Sequence, residues 1–529
     1  MNEALQIKAN PWAEQVKGKR NIVMLYPKTG MDVGGATVAP PHSLLAAAAP
    51  MDHAGYDIKI IDMRRDSDWK ASMEAVVSEE SLFVGISAMT GTQVHFAILM
   101  AEFARKLTKG KVPIVWGGAH ASILPEQTLE HALVDMVVLA EGEVTGLELA
   151  NALVSGAPLS QVPGLGFKKD GKLTLNESAA MVDVDELLPV PWHLIDVESY
   201  ISPDNYFLKD SPRTLDIGQT SRGCPYKCGF CASSSILYKR WRAMSIDRAM
   251  KAIEEPVRKF NLTGVWIRDD EFYVNSKRAY AVCERIQNSD LNIQWYSTGM
   301  RVNDFLRAKP EQLEMLKRSG GTIMKFGAES GSDRILKLIQ KGIVAEQTLE
   351  ANQRCKEFGI IPAFSFIIGF PTETFEEINQ TIDFAFRLKK ENPDAQLETF
   401  ATYTAFPGTP MYPLALEYGL RPPKTLDGWK DWILDDYDET GDKLPWFSEE
   451  EREWIGNISY MSILANAIDG IGRGIKSDMW RNLFSKGLIP IKGYYGHQLK
   501  AHRYKFVPEL KIARAIRKKV FYRSEETVQ

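Results

Sequence analysis

Three of the five cysteines in this chain of 529 residues fall within eight positions: Cys224, Cys228 and Cys231, in the run Cys-Pro-Tyr-Lys-Cys-Gly-Phe-Cys. A C-x3-C-x2-C spacing can gather three thiolates on one loop, and thiolates suit zinc or iron–sulfur centres. A disulfide framework is a poorer account, because it spreads even numbers of cysteines through a small secreted chain. A closed zinc site wants a fourth ligand, and no cysteine or histidine nearby supplies one; His193 is far upstream. A 4Fe–4S cluster on three cysteines leaves one iron open to a small molecule. Cys283 and Cys355 sit in helix-like stretches, AYAVCERIQ and ANQRCKEFG, and read as buried structural thiols.

Further charged and glycine-bearing motifs follow: Arg268-Asp269-Asp270-Glu271, then Arg301, Gly327-Ala328-Glu329-Ser330-Gly331 and Ile368-Gly369-Phe370-Pro371. Each closes or follows a strand-like run. Those runs, RTLDIGQT, GVWIRDD, IQWYSTG, TIMKFGAES, AFSFIIGF and LETFATYTAF, alternate with amphipathic helix-like segments. Six βα units over residues 213–420 are too few to close an eight-unit barrel, so a partial barrel with an open side is expected. The cysteine run directly follows the first of these strands, at the strand end where sites in such folds gather.

The run resembles the radical S-adenosylmethionine superfamily, which also has an aromatic residue, here Phe230, just before the third cysteine. The likeness extends over all six units. It implies a cluster on Cys224, Cys228 and Cys231 whose open iron chelates the amino and carboxylate groups of S-adenosylmethionine, and whose electron cleaves it to a 5′-deoxyadenosyl radical. It also implies S-adenosylmethionine contacts. The acidic strand end, Asp269, Asp270 or Glu271, is apt for the methionyl ammonium, although it departs from the Gly-Gly-Glu form of many members. Glu329 and Ser330 resemble the ribose and methionyl contact, Gly369 lies where the family packs adenine, and Arg301 is a candidate partner for the carboxylate.

Upstream, NIVMLYP, YDIKIIDM, LFVGISAM, VPIVWGG and DMVVLAEGE alternate with helix-like runs, giving a five-stranded doubly wound parallel sheet over residues 19–158. Such a domain could bind a dinucleotide, a cobalamin, or nothing. Its first turn, YPKTGMDVGGATVAP, lacks a G-x-G-x-x-G that feeds a helix. The ends of its third and fourth strands, with Ser87 and Thr90, then Gly117, Gly118 and His120, resemble the serine and paired-glycine elements of cobalamin-binding domains. There the serine contacts the nucleotide tail and the glycines let it pass close to the backbone. Glu141, in Glu141-Gly142-Glu143, is a further such feature. His120 reads either as a cobalamin contact or as a solvent-facing turn histidine. The D-x-H-x-x-G that supplies cobalt with histidine in the mutases is missing, and His42 and His53 do not match it, so no histidine ligand from the protein is expected.

The chain is therefore expected to be α/β. It has a tail (1–18), a Rossmann-like cobalamin-binding domain (19–158), a proline-rich linker (159–212) with a small hairpin packed between domains, a partial (βα)6 barrel (213–420) and a helical C-terminal cap (421–529). With 44% hydrophobic and 25% charged residues it is ordinary globular material, long enough for roughly two to four domains. A net charge of −4 gives no reason to expect nucleic acid. No apolar run is long enough to span a membrane and no secretory leader is evident, so a cytoplasmic protein is expected. The tail PELKIARAIRKKVF is basic and amphipathic; it could lie on an anionic membrane or pack on its own protein.

The resemblance implies a cobalamin-dependent radical methyltransferase acting on an unactivated carbon of a small-molecule or lipid-like substrate, with an external electron donor such as flavodoxin or ferredoxin. FIIGFPTET, TAFPGTPMY and the domain order also resemble the anaerobic magnesium-protoporphyrin monomethyl ester cyclase, which implies oxidative ring closure. A non-catalytic cobalamin or redox sensor is the third reading. A methylthiotransferase would need cysteines for an auxiliary cluster, and these are missing.

Overall fold

The computed structural model describes residues 17–29, 39–169, 171–202, 211–233, 240–432, 441–467 and 478–512, with single residues at 12, 15 and 208; at 431, 467 and 478–485 it describes backbone alone. Apolar runs build the first sheet. β1 (Asn21–Tyr26), β2 (Asp57–Asp62), β3 (Ser81–Ser87), β4 (Ile114–Gly117) and β5 (Met136–Val138) pair in parallel in the order β2-β1-β3-β4-β5. All seven residues of β3 are buried, as a strand covered by helices on both faces requires. The cover comes from α1 (His42–His53), α2 (Trp69–Val76), α3 (Thr92–Leu107), α4 (Ala119–Ile123), α5 (Pro125–Glu130) and α6 (Gly142–Ser155).

One expectation changes here. The hairpin of β6 (Leu165–Lys169) and β7 (Lys172–Leu175) does not pack between domains; β6 pairs antiparallel with β5 and extends the first sheet to seven strands. Leu165 and Phe167 point into that sheet's own core, which explains the choice of partner. The bridging is done by the stretch that follows: Arg242 donates to Val182 O, Ser245 N to Asp185 and Arg248 to Leu187 O.

The second α/β unit holds β8 (Thr214–Gly218), a short ribbon of β9 (Ser221–Arg222) and β10 (Arg242–Ala243), then β11 (Gly264–Ile267), β12 (Gln294–Ser297), β13 (Ile323–Glu329), β14 (Ile361–Ile368) and β15 (Gln396–Thr402). Two parallel three-stranded ladders, β12-β11-β8 and β13-β14-β15, meet where Trp295 N donates to Gly320 O and Met300 N to Lys325 O. The result is an open arc of six strands, the partial barrel that the repeat count implies. Outside it run α7 (Ile246–Phe260), α8 (Ser276–Gln287), α9 (Val302–Arg307), α10 (Pro310–Arg318), α11 (Asp333–Leu338), α12 (Ala345–Phe358) and α13 (Phe375–Glu391). Local chemistry sets their ends. Ser245 accepts the Arg248 N–H to start α7 and left-handed Asn261 ends it, while Thr374 and Glu377 form a capping box on α13.

Cys283 and Cys355 are buried on α8 and α12, as structural thiols should be. The chain then forms α14 (Tyr412–Glu417), α15 (Glu449–Ser462) and α16 (Asp478–Lys500). No described helix is long and apolar enough to cross a membrane. Most of the expected basic helix lies outside the described residues, which end at 512, and so does most of the first turn, 30–38.

Candidate functional site

The cysteine loop leaves β9 and is fastened on several sides. Gly223 N donates to Asp270 at 2.9 Å, Gly229 N to Ile339 O at 2.7 Å, and Met411 N to Gly229 O at 2.9 Å. A Cβ on Gly229 would lie 2.6 Å from Met411 Cγ, so glycine is what lets the loop sit against α14. Cys224, Cys228 and Cys231 form no disulfide and are partly buried. Arg301 reaches this loop: its Nη1 is 3.4 Å from Cys228 Sγ, its guanidinium lies over Tyr226, and Nη2 donates to Lys341 O. Among the described residues no three Cys, His, Asp or Glu side chains converge closely enough to form a metal site. What fits an iron–sulfur cluster is the donor set itself, three thiols and no carboxylate or imidazole on one anchored loop.

The strand-end acids divide the work. Asp269 is fully buried and already accepts from Thr220 N, Thr220 Oγ1 and Ser221 Oγ, so it ties β11 to the turn after β8. Asp270 holds Gly223. Glu271 is buried facing the cysteine loop, and desolvation pushes its carboxyl up to about 8. Glu329 has a left-handed backbone (φ 61°) and an ion pair to Lys341 at 2.6 Å. Ser330 is turned away, its hydroxyl 3.0 Å from Thr381 Oγ1 on α13. Gly369 (φ 91°) donates to Glu373 at 2.6 Å and accepts from Trp446 Nε1 at 3.1 Å; Phe370 packs between Phe230 and Tyr403.

Lys341 and Glu373 were missed by sequence reasoning. Lys341 lies on the turn after α11, twelve positions beyond Glu329, where a search confined to strand ends does not look. The Gly-Phe-Pro-Thr-Glu run was the available signal for Glu373.

In the first domain, Ser87 Oγ is 2.9 Å from Ser43 Oγ, and Gly118 (φ 89°) runs so close to β3 that a Cβ would lie 2.8 Å from Ala88 O. His120 is not a solvent-facing turn residue. It is fully buried, edge-on to Trp429, with Nδ1 3.0 Å from Thr90 Oγ1 and Nε2 without a partner. Burial lowers its pKa to about 4, which keeps the ring neutral. Glu141 and Glu143 grip the neighbouring domain: Arg222 donates to Glu143 at 2.6 Å and lies 3.4 Å from Glu141, which also pairs with Arg242.

Between the domains lies a cavity of about 680 Å3. Part of its wall is apolar, formed by Phe83 and Val115 of the sheet, Leu44 of α1 and Leu149 of α6, with the small Gly85 and Gly146 among them. That lining suits the heteroaromatic tail of cobalamin. Other parts of the wall are charged. Asp216 of β8 meets His42 at 2.9 Å and also pairs with Arg268, whose guanidinium stacks on Trp266. Burial pushes the Asp216 carboxyl up, but Arg268, His42 and the Gly218 N–H together hold it well below the usual range.

A doubly wound domain facing the open mouth of a partial barrel, with a three-cysteine loop at that mouth, defines a cobalamin-binding radical S-adenosylmethionine enzyme. The B12-binding domain family matches residues 35–150 and the Radical SAM superfamily residues 219–385. Similar proteins include the "Uncharacterized methyltransferase PH0819" of Pyrococcus horikoshii, 33% identical over 387 residues, covering 73% of this chain and 80% of that one. The anaerobic magnesium-protoporphyrin IX monomethyl ester cyclase of Rubrivivax gelatinosus is 29% identical, with 72% and 67% covered. In fold the chain resembles OxsB with aqua-cobalamin and S-adenosylmethionine bound (TM-score 0.68, 17% identity, 97% of this chain, 76% of OxsB). It also resembles TsrM from Kitasatospora setae (TM-score 0.62, 19% identity, 77% and 79% covered). The chain belongs to the cobalamin-dependent radical S-adenosylmethionine methyltransferase family, and its cofactors are a 4Fe–4S cluster, S-adenosylmethionine and cobalamin.

Proposed function

We propose that this enzyme transfers a methyl group to an unactivated carbon of a small-molecule or lipid-like substrate, drawing electrons from an external carrier such as flavodoxin or ferredoxin. The observation that carries the reading is one cavity walled on one side by Gly117, Gly118 and Glu141 and on the other by Gly218, Arg222 and Arg268. Arg222 lies two residues before Cys224, so the carrier domain and the cysteine loop share a wall. When bound, the cluster and S-adenosylmethionine supply a 5′-deoxyadenosyl radical and cobalamin supplies the methyl group.

The chain's part is to hold and to exclude. Cys224, Cys228 and Cys231 would hold the cluster. Arg301 and Lys341 offer cationic groups beside Cys228 for a carboxylate, and the 269–271 strand end offers acceptors for an ammonium in Asp270 and Glu271. Glu329 is the ribose candidate and the Gly369–Phe370 turn the adenine seat, with Phe230, Tyr403 and Trp446 keeping water out. Ser87, Gly117 and Gly118 line the cavity and would meet cobalamin; Thr90 and His120, off its wall, would support that seat from behind, and Glu141 acts through the arginines. Boundaries at 19–158, 159–212, 213–420 and 421–529 remain the working division, with residues 165–175 moved into the first sheet.

The test is anaerobic reconstitution with iron, sulfide and cobalamin, then incubation with cell extract and methyl-labelled S-adenosylmethionine. Labelled product together with 5′-deoxyadenosine supports methylation. The cyclase relatives favour a second reading, in which product gains oxygen from water and no methyl label. Failure to form 5′-deoxyadenosine would remove both.

A further inference from the structure

We propose that the outer face of residues 486–512 is a docking surface for an anionic phospholipid bilayer. This is independent of the cofactor chemistry above. Large apolar side chains exposed among the described residues concentrate there: Ile489, Ile491, Tyr494, Phe506 and Ile512 are five of eleven, with Phe506 86%, Ile512 64% and Ile489 62% exposed.

The inward side of this stretch is firmly seated. Leu488 and Leu499 of α16 are buried, as are Tyr504, Val507 and Leu510. Tyr504 OH donates to Asn379, Asn457 Nδ2 donates to Tyr504 O, and Lys511 pairs with Glu453 at 3.0 Å. The outward residues are thereby presented in fixed directions. By helical spacing, Lys486, Ile489, Pro490, Gly493, His497 and Lys500 share one face of α16, and Ile491 and Tyr494 are exposed on its flanks. Arg503, Phe506 and Ile512 are exposed in the segment beyond it.

Three observations select the occupant. The charge of the stretch is one-sided: Lys486, Lys492, Lys500, Arg503, Lys505 and Lys511 stand against the single acid Glu509 within it, in a chain whose net charge is −4; of these, Lys511 is paired with Glu453 and Lys505 lies over Trp454. Basic residues between exposed apolar ones match a surface of anionic headgroups over hydrocarbon. The glycines at 487, 493 and 496 have no packing reason, since an added Cβ would meet nothing within 4 Å at any of them. Glycine and Pro490 weaken a helix in water, yet they leave a low profile that a flat, fluid surface can approach. Finally, the patch is a convex helix face with dispersed apolar contacts. A bilayer needs no matching groove for that, whereas a folded partner does, and nucleic acid gains little from Ile489 or Ile512.

The experiment uses the intact, anaerobically purified holoenzyme and sedimentation with vesicles of phosphatidylcholine, with and without phosphatidylglycerol, at low and high salt. Binding is expected only to the phosphatidylglycerol vesicles and should weaken with salt. Phe506→Ser/Ile512→Ser should lower the partition coefficient at least about tenfold, and Lys500→Glu/Arg503→Glu by a similar factor. Both variants change exposed positions, so unchanged circular dichroism and S-adenosylmethionine cleavage are expected and serve as the folding control. Equal binding by the wild type and either folded variant overturns the proposal. So does self-association, measured by light scattering, that is lost in Phe506→Ser, because a second copy would then be the occupant.

Discussion

Single side chains carry two sharp expectations. Cys228→Ala removes one of three thiols while leaving the cobalamin cavity untouched, since no cysteine lines it. S-adenosylmethionine cleavage should fall to background while cobalamin stays bound, read by 5′-deoxyadenosine analysis and by the visible spectrum. Retained cleavage would detach this loop from the cluster. Glu373 makes a different kind of test. Burial raises its carboxyl to about 8, against the Gly369 and Phe370 N–H groups that pull it down. With the folded value above the ordinary 4.5, its favourable contribution is complete below that pH and is lost as pH rises through about 8. Glu373→Gln keeps an acceptor and cannot ionise. It should therefore gain on the wild type between about pH 5 and pH 9, by on the order of 2 kcal/mol at the alkaline end. Parallel plots of Tm against pH for the two proteins would refute this.

At the scale of elements, close approach of backbones does what side chains cannot. Gly118 turns the end of β4 toward β3 with a left-handed backbone, leaving 2.8 Å between a hypothetical Cβ and Ala88 O. Gly118→Val should destabilise the first domain by about 2 kcal/mol and weaken cobalamin uptake at least tenfold (about 1.4 kcal/mol), measured by thermal melts and by retention on desalting. Cobalamin uptake equal to wild type would show that this turn is not part of the seat. The strands themselves were legible in the sequence because buried parallel strands are unbroken apolar runs, as in NIVMLY and SLFVGIS. The hairpin at 165–175 was misplaced because its own alternation fixes the pairing but not the sheet it joins; Leu165 and Phe167 decide that through tertiary packing. Asp269 illustrates the same limit at the site. Its sequence offered it beside Asp270 and Glu271, and only the fold shows three hydrogen bonds already engaging it. Lys341 was hidden because a helix and a turn, rather than a strand end, return it to Glu329.

The whole molecule works only if two α/β domains hold their strand ends face to face, and buried polar contacts do much of that holding. Tyr200 of the linker donates to Asp62, His42 of the first domain meets Asp216 of the second, and Arg222 and Arg242 close on Glu141 and Glu143. The last group matters most for function, because Arg222 sits two residues from Cys224. Such pairs add little net stability over an apolar substitute, yet removing one partner strands the other without water. Glu143→Ala should therefore cost about 2 kcal/mol, less than a fully isolated pair because Glu141 remains 3.4 Å from Arg222. It should also slow S-adenosylmethionine cleavage by loosening the cysteine loop. Glu143→Met combined with Arg222→Met should recover most of the stability and little of the activity. That split separates a pair that merely stabilises from one that aligns the domains: if activity returned together with stability, the clamp would be only structural. Simple additivity of the two single substitutions would show that these side chains do not act as a pair at all.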